Sequence, residues 1–416
     1  MMSPSRPHYL LAILLVILTF NFLDRSILAI ALQDIKADLA LSDTQLGFLS
    51  GIAFALFYSV AGIPIARWAD RGNRVSIIAI TTALWSGLVA LCGMAGSFAQ
   101  LLLIRVGVAV GEAGCVPPAH SLIADTFSRA QRPRAVSIYM LGGPLSIVVG
   151  YFLAGWLNEL YGWRATFVIL GAPGLLLALL AHFTLKEPPR RHADAGPPPD
   201  LKRVISTLWS NRTFRHLHIC FSITFFFGTG IWQWQPSYFV RSFGLQTGEL
   251  GTWFALTAGL AGVVGAIAGG EIASRYAARN EGLQLKLMAV GFAAFGVISA
   301  GVYLTSDYRI AFALVALATL GGATATGPLF ATVQTVVPQH MRATSIAIVY
   351  LFANLIGMGL GPLAAGFLSD QFRSWAGEES LRYALLALCP GYLWAALHVW
   401  RGSVSVTGDI EKAQAV

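Results

Sequence analysis

Charged side chains are scarce in this sequence. Asp, Glu, Lys and Arg together make up 12% of the 416 residues, against 56% apolar ones, about half the charged share of an ordinary soluble domain, and the mean hydropathy is +0.66. Too little polar surface remains to wrap a water-soluble fold of this size, which excludes a soluble globular protein. Cysteine is also rare: Cys92, Cys115, Cys220 and Cys389 lie inside apolar runs. They show neither a Cys-x-x-Cys nor a Cys/His spacing, which argues against a disulfide framework or a metal centre. Phosphate-cradling Gly-Lys-Ser/Thr, His-Glu-x-x-His and Gly-x-Ser-x-Gly patterns are missing, which argues against an ATP-driven pump or a membrane hydrolase. Neither a cofactor nor enzymatic activity is expected. No small-residue cleavage site follows the apolar stretch from Arg6 to Phe20; Asn21-Phe22-Leu23-Asp24-Arg25 comes instead, so this stretch reads as a first helix and not as a secretory signal.

What the sequence has in abundance is apolar runs of about twenty residues, recurring from Leu10 to Trp400 with charge confined mostly to the gaps. Runs of that length match hydrocarbon crossings, so an all-α integral membrane protein is expected. One helix with its loop takes roughly 30 to 36 residues, so the chain predicts about twelve transmembrane helices and no separate extramembrane domain. The net charge of +8 would suggest nucleic acid in a soluble protein, but its placement here excludes that partner. With the N-terminus inside, the loops on that side hold 20 of the 28 Lys and Arg residues, the opposite side holds six, and Arg25 and Arg105 fall within spans. The positive-inside rule then puts both termini in the cytoplasm, with a bacterial inner membrane as the expected location.

Residues 186–213 form the longest polar stretch, with Pro188, Pro189, Pro197, Pro198 and Pro199 among basic residues. They read as a cytoplasmic linker between an N-terminal six-helix bundle, 1–185, and a C-terminal one, 214–416. The halves repeat each other. A shift of 204 positions lays Leu41-Ser42-Asp43-Thr44-Gln45-Leu46-Gly47 on Leu245-Gln246-Thr247-Gly248-Glu249-Leu250-Gly251, and small gaps later bring Arg134-Ala135-Val136-Ser137-Ile138 onto Arg342-Ala343-Thr344-Ser345-Ile346. Two pseudo-symmetric bundles running in the same membrane sense follow.

Charge inside the spans is the strongest functional signal, because an Asp or Arg at mid-membrane costs about 2.5 to 3.5 kcal/mol even on the lenient insertion scale. Asp24, Arg25 and Glu112 lie roughly 18 to 20 Å from the outer ends of predicted helices 1 and 4 at 1.5 Å per residue, so the three share one depth. Neighbours on a helix point about 100° apart, so Asp24 and Arg25 are poorly placed to satisfy each other, and at least one needs a partner on another helix. Arg105, two turns before Glu112, shares its stripe and reads as a secondary candidate. His120 could relay protons, or be an ordinary polar residue near a helix end. A static network holding helix 1 to helix 4 is the plain alternative for these charges. Against it, the 204 shift places Gly228, Thr229 and Ala316 at the positions of Asp24, Arg25 and Glu112, so the second half folds on the same template without them. In predicted helix 7, Trp232, Trp234 and Tyr238 with Phe225-Phe226-Phe227 form an aromatic surface suited to an amphiphile, although aromatics are also routine in spans.

Parallel six-helix repeats joined by a basic linker resemble the major facilitator superfamily, in which substrate binds near mid-membrane and the halves rock for alternating access. The loop Ala66-Arg67-Trp68-Ala69-Asp70-Arg71-Gly72-Asn73-Arg74 looks like that superfamily's cytoplasmic signature, with Ala66 and Asn73 in place of its usual glycines, and Gly142-Gly143-Pro144 through Gly155 resembles its glycine-proline motif. The resemblance implies a cytoplasmic gate at Asp70, Arg71 and Arg74; an ordinary basic loop that only sets topology is the alternative. Asn21-Phe22-Leu23-Asp24-Arg25, the Asp70-Arg71-Gly72-Asn73-Arg74 loop, Gly111-Glu112-Ala113 and Lys186-Glu187-Pro188-Pro189-Arg190 are similar to the spinster family of lipid transporters. Organic-anion symporters of the same superfamily share the Asp-Arg pair and the Gly-Glu-Ala triplet, so only the asparagine loop and the Glu-Pro-Pro-Arg exit favour spinster.

The spinster likeness implies a proton-coupled secondary transporter of a lysophospholipid or another phosphorylated single-chain lipid. Asp24 and Glu112 would be its proton-coupling acids and Arg25 its head-group residue. The alternatives are a proton-linked carrier of a small organic anion, such as a sugar acid or carboxylate, and a non-transporting membrane receptor. Membrane lipids and protons are the other expected partners, and a monomer is expected.

Overall fold

A computed structural model describes residues 7–128, 131–189, 201–276, 280–338 and 341–414. Regular structure among them is helical throughout. Nine helical runs are long and apolar enough to cross a bilayer. Two of them, Arg134–Thr184 and Thr344–Ala413, each contain a turn that folds them into two passes, and Arg212–Phe243, 32 residues long, makes the twelfth crossing. The spans are α1 (Pro7–Leu39), α2 (Asp43–Arg71), α3 (Arg74–Cys92), α4 (Phe98–Thr126), α5 (132–161), α6 (163–184), α7 (Arg212–Phe243), α8 (247–276), α9 (Glu281–Leu304), α10 (Tyr308–Thr335), α11 (342–376) and α12 (380–414). Helix α7 stands apart because Arg212, Arg215, His216, His218, Gln233 and Gln235 dilute its apolar character.

Short polar residues set the helix starts. Ser42 and Gln45 form a capping box at α2, and Asn73, Ser97, Asn280 and Asp307 each accept from a backbone N–H in the first turn of the helix that follows, satisfying donors that hydrocarbon could not. At Gly162 the chain turns between α5 and α6 with φ of +78° and ψ of 167°, a region open essentially to glycine alone.

The chain divides into two compact units, one formed by residues 1–195 with 244–255 and the other by 196–243 with 256–416. In the first unit, Leu10, Leu14, Leu18, Ile123, Tyr139 and Ala181 belong to one packed core that joins α1, α4, α5 and α6. The start of α8 joins this unit because glycines let backbones touch: a Cβ on Gly155 would lie 2.4 Å from the Thr247 carbonyl oxygen, and one on Gly251 2.2 Å from that of Tyr151. Glu159 also accepts from the Gly248 N–H at 2.7 Å, capping the helix start.

The second unit uses the equivalents of the charged positions for helix packing, with Thr229 donating to the Gly357 carbonyl at 2.8 Å. The expected linker 186–213 is not wholly irregular, since Leu201–Ser210 is a helix. Its Val204 and Leu208 are buried against the second unit, an amphipathic pattern that the flanking prolines obscured. Residues 190–200 of that linker lie outside the described residues.

Gly162→Ala should lower the thermal stability by about 1 to 3 kcal/mol from backbone strain, since a Cβ there meets nothing within 4 Å. Gly143→Ala, equally free of contacts but without the positive φ, is the control. Equal melting temperatures for the two variants in detergent would contradict the strained-turn assignment.

Candidate functional site

Helices α1 and α4 bring four charges together. Asp24 and Arg25, adjacent on α1, each find a separate partner one and a half to two turns apart on α4. Arg105 Nη1 donates to Asp24 Oδ2 at 2.5 Å, and Arg25 Nη2 donates to Glu112 Oε2 at 3.1 Å. The two pairs form one cluster, for Glu112 also lies within electrostatic range of Asp24 and Arg105. Arg105, a secondary candidate from its sequence position, is therefore a member of the site and the direct partner of Asp24.

With all four groups ionised the cluster is neutral, which is what allows it to exist in a low-dielectric interior. The side chains of Asp24, Arg105 and Glu112 are 0 to 2% exposed, whereas that of Arg25 is 26% exposed. Satisfaction is incomplete: Asp24 Oδ1, Glu112 Oε1, Arg25 Nε and Arg105 Nε are buried without a hydrogen-bond partner, as are both side-chain polar atoms of Asn21 one turn earlier on α1. Unused hydrogen-bonding capacity on buried acids marks a place where a proton can be added at low cost in lost contacts.

Aromatic rings pack the cations in place. The Arg25 guanidinium lies 4.5 Å from the Phe22 ring centroid and 5.3 Å from that of Phe54, and Arg105 lies 5.1 Å from the same Phe54 ring. Tyr58, one turn along α2, stacks on Phe54 with centroids 5.8 Å apart and is within electrostatic range of both Arg25 and Glu112. Sequence reasoning missed Phe54 and Tyr58, because an aromatic residue in a span carries no signal until the fold shows a cation over its face.

The remaining sequence candidates fall elsewhere. His120 follows Glu112 by eight residues, but α4 breaks its helical hydrogen bonding at 113–115 before restarting at Val116 with Pro117 and Pro118 in its first turn. His120 packs edge-on to Tyr139 at 5.4 Å. Trp234 and Tyr238 are fully buried core residues of the second unit; Trp234 Nε1 donates to the Pro362 carbonyl at 2.8 Å and the Tyr238 hydroxyl to that of Val302 at 3.0 Å. Trp232 is half-buried.

The loop charges also divide. Asp70 and Arg71 are exposed and make no ion pair among the described residues, whereas Arg74 is 1% exposed. Arg74 binds Asp125 and Glu187 at 2.5 Å each, Ser121 at 2.8 Å and the Pro188 carbonyl at 3.2 Å. Glu187 continues to the Val75 N–H at 3.1 Å. Arg74 is a clasp joining α3 to the ends of α4 and α6, a buried arginine with four partners.

The profile of the major facilitator superfamily matches residues 14–362. A protein described as an MFS-type efflux pump from Mycolicibacterium smegmatis is 30% identical over 412 residues, covering 98% of this chain and 95% of that one. A crystal structure described as a bacterial homolog of the human lysosomal transporter Spinster, inward-facing and unoccupied, superposes with a TM-score of 0.88 at 30% identity over 98% of this chain and 99% of that one. A probable L-galactonate transporter from Escherichia coli is 25% identical over 376 residues, covering 85% of this chain and 81% of that one.

Removing one member of a buried ion pair strands the other, at a cost of about 3 to 5 kcal/mol. Arg105→Met and Arg74→Met should each lower the melting temperature clearly, while Arg71→Met should not. Asp24→Leu combined with Arg105→Met should recover part of the loss relative to Arg105→Met alone. A double variant no more stable than that single one would show that the pair is not the unit of stabilisation.

Proposed function

The chain belongs to the major facilitator superfamily, and we propose that it is a proton-coupled transporter of a lysophospholipid-like or phosphorylated single-chain lipid, working by alternating access. That it is a spinster-like secondary transporter and not an enzyme follows from the family and the fold. The observation that carries the finer reading is the neutral charge quartet with one accessible member, Arg25.

Protonating Glu112 or Asp24 leaves the quartet with a net positive charge in a poorly solvated place, an arrangement that costs free energy until an anion joins it. The accessible guanidinium is where an anion can enter, and its planar fork holds a phosphate or carboxylate bidentately. Glu112 releases Arg25 when it takes a proton, so proton and anion binding favour each other. A proton shared between the two acids would use oxygens that otherwise lack a donor. Asp24 and Glu112 are thus assigned to proton coupling, Arg25 to the head group, and Arg105 to holding Asp24. Asp70, Arg71 and Arg74 are assigned the gating role, and both termini are assigned to the cytoplasmic side of a bacterial inner membrane.

The lipid substrate is supported by the similarity to the spinster homolog. A proton-linked small organic anion is the second reading, favoured by the likeness to the probable L-galactonate transporter, because the same guanidinium would hold a carboxylate.

In proteoliposomes, an imposed pH gradient should drive lysophospholipid movement, and Glu112→Gln should abolish the response to the gradient while leaving binding measurable. Uptake of galactonate but not of lysophospholipid would select the second reading, movement of either without dependence on the gradient would reject proton coupling, and movement of neither would favour a receptor. Arg25→Ala should reduce affinity for an anionic lipid by about 100-fold, in line with loss of a charge-assisted bidentate contact. Arg25→Lys should fall between that variant and the parent, with an uncharged amphiphile of equal chain length unaffected. Equal affinity of Arg25→Ala and the parent would move the head group to another cation. An impermeant thiol reagent should label cysteines placed at Lys412 and Asp307 from opposite sides; labelling of both from one side would reject the assigned orientation.

A further inference from the structure

The second unit contains an apolar cavity of about 730 Å³ between α7, α11, α12 and the linker helix Leu201–Ser210. Trp209, His218, Ser222, Phe227, Phe352 and Trp394 are among the residues that line it, and its volume is in the range of small-ligand sites. The corresponding positions of α1 in the first unit lie in its core. At the 204 shift, Phe214, His218 and Ser222 take the positions of Leu10, Leu14 and Leu18, which are 0 to 1% exposed in a continuous core. Two leucines of the repeat have become a histidine and a serine in the second copy, and space has opened beside them.

His218 is 6% exposed, and its Nδ1 is buried without a hydrogen-bond partner. Aromatic rings hold the imidazole on several sides, Phe214 stacked at 5.9 Å and Phe352 and Trp209 edge-on at 5.1 and 6.3 Å. A polar atom so enclosed, in a cavity otherwise almost wholly apolar, is costly unless an occupant supplies a partner.

The mouth is formed by exposed Ile205, Trp209, Leu351, Phe352 and Trp394, which in a spanning bundle suits hydrocarbon. Basic residues rim the same end: Arg212 and Arg342 open α7 and α11, Arg215 lies one turn further along α7, and Arg401 is on α12. His218 is six residues beyond Arg212, roughly 9 Å along the helix, a depth suited to the ester region of a lipid whose phosphate sits at the basic rim.

We propose that this cavity holds an acyl chain of an anionic phospholipid from the linker-side leaflet. Its phosphate rests on the rim of Arg212, Arg215 and Arg342, and an ester oxygen receives a hydrogen bond from His218 Nδ1. The linker helix, amphipathic and lying across the chain, is secured to the bundle by this lipid. The site is independent of the Arg25 quartet.

The test uses the full-length protein in nanodiscs with a phosphatidylglycerol that carries a diazirine at the end of one acyl chain. Cross-links are expected on peptides of α7, α12 and Leu201–Ser210, and excess unlabelled phosphatidylglycerol should displace them better than phosphatidylcholine does. His218→Leu with Ser222→Leu, which restores the residue types of the first unit, should reduce labelling of those peptides about tenfold or more, the size expected for loss of about 1.4 kcal/mol of binding. Should that variant fail to give a monodisperse protein, Arg212→Ala with Arg342→Ala should remove the preference for phosphatidylglycerol over phosphatidylcholine. Unchanged labelling in the filled variant, equal displacement by the two lipids, or labelling that disappears in Arg25→Ala would each overturn the proposal, the last by assigning the probe to the transport path.

Discussion

The cost of charge in hydrocarbon organises the first unit. Two acids and two guanidiniums buried within the spans can stay ionised only as a neutral set, and each needs its opposite within contact distance. Asp24 and Arg25 cannot serve one another along α1, so α4 must present Arg105 and Glu112 to them, at 2.5 and 3.1 Å. Phe54 on α2 then closes against both guanidiniums. Helix 1, helix 2 and helix 4 are in this way held by one electrostatic requirement, and the same requirement makes the cluster responsive, since one added proton upsets its neutrality.

The two halves share a template but divide the labour. Where the first unit places charge, the second places Gly228 and Thr229; Thr229 makes a hydroxyl-to-carbonyl contact with Gly357 of α11 at 2.8 Å, next to Gly230, where α7 crosses closely over Gly361. Packing in membranes rests on such close approaches because burial of apolar surface offers little gain over lipid. The opposite trade occurs near the linker, where the first unit buries leucines in its core and the second leaves a cavity beside His218.

Two motifs that look unrelated along the chain are one structural device. The asparagine loop before α3 and the Glu-Pro-Pro segment after α6 meet at Arg74, whose partners lie 51 and 113 residues away. Asn73 starts the helix by accepting from the Ser76 N–H at 2.8 Å, and Arg74, next to it, ties that start to Asp125, Glu187 and the Pro188 carbonyl. This division of neighbouring residues leaves Asp70 and Arg71 exposed while Arg74 is buried, although the three read alike as a basic loop.

Sequence by itself determined what the bilayer's physics imposes on any chain: the number of apolar crossings, the basic linker and the internal repeat. These follow from length, hydropathy and helical rise, which are properties of single segments. It could not determine partners, because the azimuth and tilt of one helix against another depend on the packing of side chains far apart in the chain. Arg105 became the mate of Asp24, Trp234 and Tyr238 became core residues, Arg74 became a clasp, and His120 packed against Tyr139. Each of these outcomes was decided by tertiary contact, since a buried polar group or ring takes its role from whatever the fold brings within a few ångströms of it.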